Sequence, residues 1–270
     1  MTRVLLTAGL FLALGSPAGA QLLPPNQAGI TMGHVHLNVT DVEAHRKFWL
    51  GPIGAKPYKL GRLEGVTVPG LILLFRQRDP SGPVVGSVIN HLGLKVIKLS
   101  DLTARFEAAG YKVEPSRIGR ENTPQTYVTG PDEFRMELVE DPRLTSPVVS
   151  HHLHYFVEDP FAVKKWYVQK LLVQATMRGP YESGDVPGMN LTFAPLRNSL
   201  GPQLPTKGRV MDHIGFEVKN LEAYCKKLEA AGVKFDSPYR KLEDIPLAIA
   251  FFTDPWGTYV ELTEGLAAAH

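Results

Sequence analysis

Two imidazoles and one carboxylate are the ligand types of a facial metal triad that leaves coordination positions open for a substrate. The chain carries such a set twice, in the same order. His34, His91 and Glu137 are followed, about 120 residues on, by His152, His213 and Glu261, each in similar local text. GHVHLNVTD from Gly33 is answered by HHLHYFVED from His151, NHLGLKV from Asn90 by DHIGFEV from Asp212, and TGPDEFRMELVED by TDPWGTYVELTEG. Intervals within a set are 57 and 46 residues in the first copy and 61 and 48 in the second, differences that fit loop insertions between fixed strands. Taken in chain order, the duplication assigns one triad to each half.

The elements that must hold these residues are legible around them. His34, His36 and Asn38 alternate with Val35, Leu37 and Val39, the period of a strand, and Asp41 is placed to cap a helix carrying Val42, Phe48 and Trp49. His152, His154 and Phe156 repeat the strand, and Asp159 precedes a helix with Val163, Trp166 and Tyr167. From His91 and from His213 a strand again leads to a helix, with apolar Leu102 and Phe106 in one case and Leu221, Tyr224 and Leu228 in the other. Gly110 and Gly232, each 19 residues after its histidine, suit left-handed helix ends. Short β-rich pieces follow each helix, so each quarter reads strand, helix, then about three strands.

The 270 residues suffice for two domains, and 44% hydrophobic with 21% charged residues is ordinary for a folded chain. A net charge of +2, with no dense Lys/Arg run, argues against a nucleic-acid partner. Arg3, the apolar stretch Val4 to Leu14 and the small residues Ala18-Gly19-Ala20 read as a secretory signal peptide over residues 1–20, cleaved near Ala20. The mature protein is therefore expected in a periplasm or outside the cell, with no membrane attachment after cleavage. The single cysteine, Cys225, falls at helical spacing with Leu221 and Leu228 and reads as a buried structural thiol.

These motifs resemble the vicinal oxygen chelate superfamily, which includes glyoxalases, extradiol ring-cleaving dioxygenases and fosfomycin-resistance proteins. The resemblance covers about residues 30–266. It implies an α+β fold of two tandem domains, residues 29–142 and 148–266, each a pair of βαβββ units forming an open cup-shaped sheet around a metal. Ligands in that family come from the first strand of each unit and the last strand of the second. This implies His34, His91 and Glu137 in one cup and His152, His213 and Glu261 in the other, holding Fe(II), Mn(II) or Zn(II).

His36 and His154 share a strand face with the first ligands and are candidate catalytic groups, able to orient a substrate or move a proton. Tyr127 lies ten residues before Glu137, where extradiol dioxygenases carry a catalytic tyrosine; the second copy has Phe251 there. The acid–base histidine those enzymes place nine residues earlier falls on Ile118 and Leu242, neither of which shuttles a proton. Glyoxalases add a glutamate on the last strand of the first unit, and neither Leu71–Phe75 nor Met189–Phe193 holds a carboxylate. Arg135 and Tyr259, on the strand face of Glu137 and Glu261, either meet an anionic or aromatic ligand or pair across the sheet. The expected activity is that of an exported mononuclear metal enzyme acting on a small substrate chelated through vicinal oxygens, dioxygenase type ranked first. A glyoxalase-type isomerase or lyase and a resistance-type binding protein without catalysis are the alternatives, and a homodimer stays open.

Overall fold

A computed structural model describes residues 22–268; the expected signal peptide and its cleavage point lie outside the described residues. Four strand–helix–strands units follow one another. The first holds β1 (Ile30–Val39), α1 (Val42–Leu50), β2 (Lys56–Leu60), β3 (Leu63–Val68) and β4 (Leu71–Gln77). The second holds β5 (Ile89–Val96), α2 (Leu99–Ala108), β6 (Lys112–Val113), β7 (Arg117–Ile118), β8 (Pro124–Thr129) and β9 (Arg135–Glu140). In the third are β10 (Val148–Val157), α3 (Pro160–Lys170), β11 (Gln174–Arg178), β12 (Tyr181–Val186) and β13 (Met189–Pro195). The fourth has β14 (Met211–Val218), α4 (Leu221–Ala230), β15 (Phe235–Lys241), β16 (Ala248–Thr253) and β17 (Tyr259–Glu264).

Local chemistry sets the ends of these elements. Asp41 accepts hydrogen bonds from the backbone N–H groups of Glu43 and Ala44, and Asp159 from that of Ala162, each satisfying donors that a helix start leaves free. Gly110 and Gly232 take φ of +81° and +86° just beyond α2 and α4, where a Cβ would be strained.

The fold class is α+β, with four units in two open sheets, but the units do not pair in chain order. One sheet runs β15-β16-β17-β14-β1-β4-β3-β2, so it joins the first unit to the fourth. The other runs β11-β12-β13-β10-β5-β9-β8-β6, with β7 beside β8, and joins the second to the third. This corrects the expectation that residues 29–142 and 148–266 would each close a cup of their own. Within each half the units instead meet through their helix sides. Phe48 of α1 packs on Phe106, Tyr111 and Phe134 of the second unit, while Trp166 and Tyr167 of α3 meet Phe252 and Asp254 of the fourth. Those faces bury the large aromatics and leave the first strands to find partners in the other half.

At the centre of each sheet two first strands run antiparallel. His36 stands opposite His213 and His34 opposite Gly215 in one; His154 stands opposite His91 and His152 opposite Gly93 in the other. Register shifts bracket both pairs of positions, between Met32 and His34 and between His36 and Leu37 on β1, and between Ser150 and His152 and between His154 and Tyr155 on β10. Irregularities of this kind re-aim side chains, here on either side of the histidines.

Candidate metal centres

The sheet pairing brings the six predicted ligands together in two groups of three, regrouped from those expected. His34, His213 and Glu261 converge in the first cup, and His91, His152 and Glu137 in the second. His34 and His91 lie on different sheets, as do His152 and His213, and the side chains that converge are His34 with His213 and His91 with His152. In each group one histidine comes from the first strand of each paired unit, and the carboxylate from the last strand of one of them.

In the first cup Glu261 Oε2 lies 2.9 Å from His34 Nε2 and 2.9 Å from His213 Nε2. His36 adds a fourth side chain, and one donor atom from each of the four lies within 4.8 Å of the others, all buried. His213 Nδ1 sits 2.7 Å from Asp212 Oδ2, which assigns the proton to Nδ1 and directs the Nε2 lone pair at the Glu261 carboxylate. Two acceptors facing one another at that distance call for a cation between them. A proton fills that role in part: burial lowers the pKa of His213, but hydrogen bonds to Asp212 and Glu261 outweigh it and raise the pKa overall. Asp212 is itself held by Asn38 Nδ2 at 3.0 Å and the Gly208 N–H at 2.6 Å. Against burial, its hydrogen bonds, with His213 first, keep its carboxyl far below the usual range.

The second cup repeats the arrangement with a weaker support. His152 Nε2 lies 3.0 Å from Glu137 Oε2, His91 Nε2 3.4 Å from the same oxygen, and the two Nε2 atoms 3.3 Å from each other. Asn90 replaces Asp212, its Oδ1 3.0 Å from His91 Nδ1. A neutral amide cannot favour an imidazolium as a carboxylate does, and here burial wins, lowering the pKa of both His91 and His152. Glu137 Oε1 accepts from Gln125 Nε2 at 2.6 Å, a contact that isoleucine at position 249 cannot make in the first cup.

These donor sets fit a divalent cation of the N/O-preferring kind. Besides the converging Nε2 and carboxylate atoms, His34 Nδ1 and both ring nitrogens of His154 are buried with no hydrogen-bond partner. Orphaned polar atoms of that sort are costly unless a ligand or ion completes them. Burial and neighbouring histidine charges hold His36 and His154 well below the ordinary imidazole pKa, so both are neutral bases within the cups.

Among the other expected residues, Tyr127 lines the second cup, edge-on to His91 at 5.1 Å between ring centroids. Arg135 lies 3.9 Å over its ring and lines the same cup, whereas Tyr259 stacks on Phe251 outside the first cavity. Ile118 and Leu242 line the mouths of their cups and do not titrate. Sequence reasoning missed Asp212, Asn90 and two glycines. A Cβ on Gly215 would fall inside the His34 imidazole, and one on Gly93 inside that of His152. Their signal was present in the repeated text NHLG and DHIG, where the residues flanking each histidine recur with it.

Paired βαβββ units that form two cups, each with two histidines and a glutamate, make a scaffold of the glyoxalase fold whose buried side chains could hold a metal. Residues 149–262, the greater part of the second half, match the model of the Glyoxalase/Bleomycin resistance protein/Dioxygenase superfamily. Among solved structures, glyoxalase I from Zea mays is similar at 17% identity and a TM-score of 0.70, covering 88% of this chain and 94% of its own. A protein of Bacillus subtilis subsp. subtilis str. 168, provisionally described as a dioxygenase, is similar at 15% identity and a TM-score of 0.63, covering 88% of this chain and 86% of its own. At these identities the likeness is one of fold. No curated protein matches the sequence.

Proposed function

We propose that the protein is an exported divalent-metal enzyme acting on a small substrate held through two neighbouring oxygens, of dioxygenase type in preference to a glyoxalase-type isomerase or lyase. The observation that carries the preference is the fourth corner of each cup. Glu261 pairs with Gly215, and Glu137 with Gly93, two residues beyond a ligand histidine in each case. The same register on the facing units puts Leu74 opposite His36 and Thr192 opposite His154. No second carboxylate stands at that corner, so each cup offers two histidines and one carboxylate, with a neutral imidazole beside them.

When bound, an Fe(II), Mn(II) or Zn(II) ion would supply Lewis acidity and a template for the two substrate oxygens. His36 and His154, neutral and unencumbered, would accept a proton from a substrate hydroxyl. Burial first, then the Glu137 charge, raises the Tyr127 pKa, so its phenol keeps its proton and serves as a hydrogen-bond donor in the second cup.

Protein stripped with chelator and reloaded separately with each ion should take up two equivalents per chain, and with Fe(II) or Mn(II) should consume dioxygen in the presence of a catechol-type substrate. Failure to retain stoichiometric metal with any of the three ions would overturn the reading. Isomerisation of a hemithioacetal without dioxygen uptake would turn it toward the glyoxalase-type alternative. Export is part of the same proposal, on the leader-like residues 1–20. N-terminal sequencing of the mature protein should begin at or next to Gln21, and retention of Met1 would refute it.

A further inference from the structure

Strand register makes the two cups comparable position by position, and the comparison separates them. The hairpin pairs Leu60 with Leu63 in the first unit and Arg178 with Tyr181 in the third, so an arginine and a tyrosine replace two leucines. Thr192 stands where the first cup has Leu74. Across the sheet, Gln125 replaces Ile249, and Arg135 replaces Tyr259. Both substitutions add donors.

The resulting cavities differ in kind. The second cup is a cavity of about 550 Å³ whose lining holds five arginines, at 117, 120, 135, 178 and 197, against two carboxylates, Glu121 and Glu137. Arg178 reaches Glu121 at 2.6 Å, but no ion pair holds Arg117, Arg120 or Arg197 among the described residues. The Nε groups of Arg135 and Arg178 are buried without partners, as are both ring nitrogens of His154 on the cavity wall. By contrast the first cup, about 340 Å³, is walled by Leu63, Leu74, Leu247, Ile249, Phe251 and Leu266. Its Arg62 is tied to Asp244 and its Glu64 to Arg46 and Lys59, leaving Arg76 and Arg240 exposed at the rim.

We infer that the cups have diverged in ligand class, and that the His91–His152–Glu137 cup takes a small oxyacid carrying two negative charges, while its counterpart takes a ligand with an apolar body. Guanidinium groups recognise carboxylate and related oxyanions by paired N–H donors, and a cleft lined by one sign of charge concentrates the opposite sign. The metal-chelating part of this statement rests on the proposed function; the anion-binding part rests on the arginines alone.

Oxalate and catechol both present two adjacent oxygens, but only the first is a dianion and only the second has an apolar ring. Calorimetric titration of the full-length, metal-stripped protein should show oxalate binding that weakens with salt and falls roughly tenfold or more in Arg178→Gln. Arg197→Gln, at an exposed position, should lower it without touching the fold, and Arg178→Lys should restore part of the loss. Catechol binding should be indifferent to all three. Oxalate binding that ignores both arginine positions, or no binding, overturns the inference. Arginine-dependent oxalate binding by a protein that retains no metal would leave the inference standing and remove the metal-enzyme reading instead.

Discussion

Replacing His34 and Glu261 together with alanine should cost one bound metal equivalent, whereas replacing His34 and His91 together should cost both. The two pairs separate the observed sheet pairing from the pairing suggested by chain order. If each half held its own triad, His34 and His91 would serve one ion, and the first pair of changes would strike two sites. The structure reverses this, since Glu261 Oε2 lies 2.9 Å from His34 Nε2 across the β1–β14 seam. Losing two of three protein ligands leaves no competitive site for a divalent ion, so the expected effect is full loss of that equivalent. Elemental analysis of the two double variants, with unfolding curves to verify that both are folded, makes the measurement. Two equivalents lost from His34→Ala/Glu261→Ala would refute the cross-half cups.

Gly215→Ala should empty the first cup while sparing the second, and Gly93→Ala should do the reverse. Neither glycine has a positive φ, so alanine is acceptable to the backbone, and the effect has to come through the side chain. The added methyl would occupy the space of the His34 ring in one case and the His152 ring in the other. Neighbouring strands hold the backbone on both sides, so the imidazole is the group that moves, and a displaced ligand loses its alignment with the carboxylate. A loss of about 100-fold in metal affinity at the affected cup is expected, the upper end of what disturbed ligand orientation produces. Overpacking costs about 1–3 kcal/mol of stability in addition. Competition against a chelator of known affinity reads the first effect. Wild-type affinity at both cups would show that the glycines do not shape the sites.

Much of this was legible before any fold was drawn. Alternation around His34 and His152 identified the strands and put His36 and His154 on the ligand face, because side-chain direction on a strand follows from local geometry alone. The caps at Asp41 and Asp159 and the glycines beyond α2 and α4 are likewise decided within a few residues. Gln125 and Arg178 were not legible as cup residues. Each reaches Glu137 only through its strand's neighbours, Gln125 at 2.6 Å and Arg178 at 3.7 Å, and neither has a motif of its own.

Residue types, their repetition and the strand that each occupies were properties of the sequence by itself: six ligand candidates, two accompanying histidines and four similar units. Which histidine shares an ion with which glutamate was decided only by the tertiary structure. Local periodicity specifies how a strand presents its side chains, but not which of three other open edges it will meet. Here that choice followed from burying the Phe48 and Trp166 faces between successive units. The first strands were thereby left to pair across the halves, β1 with β14 and β5 with β10.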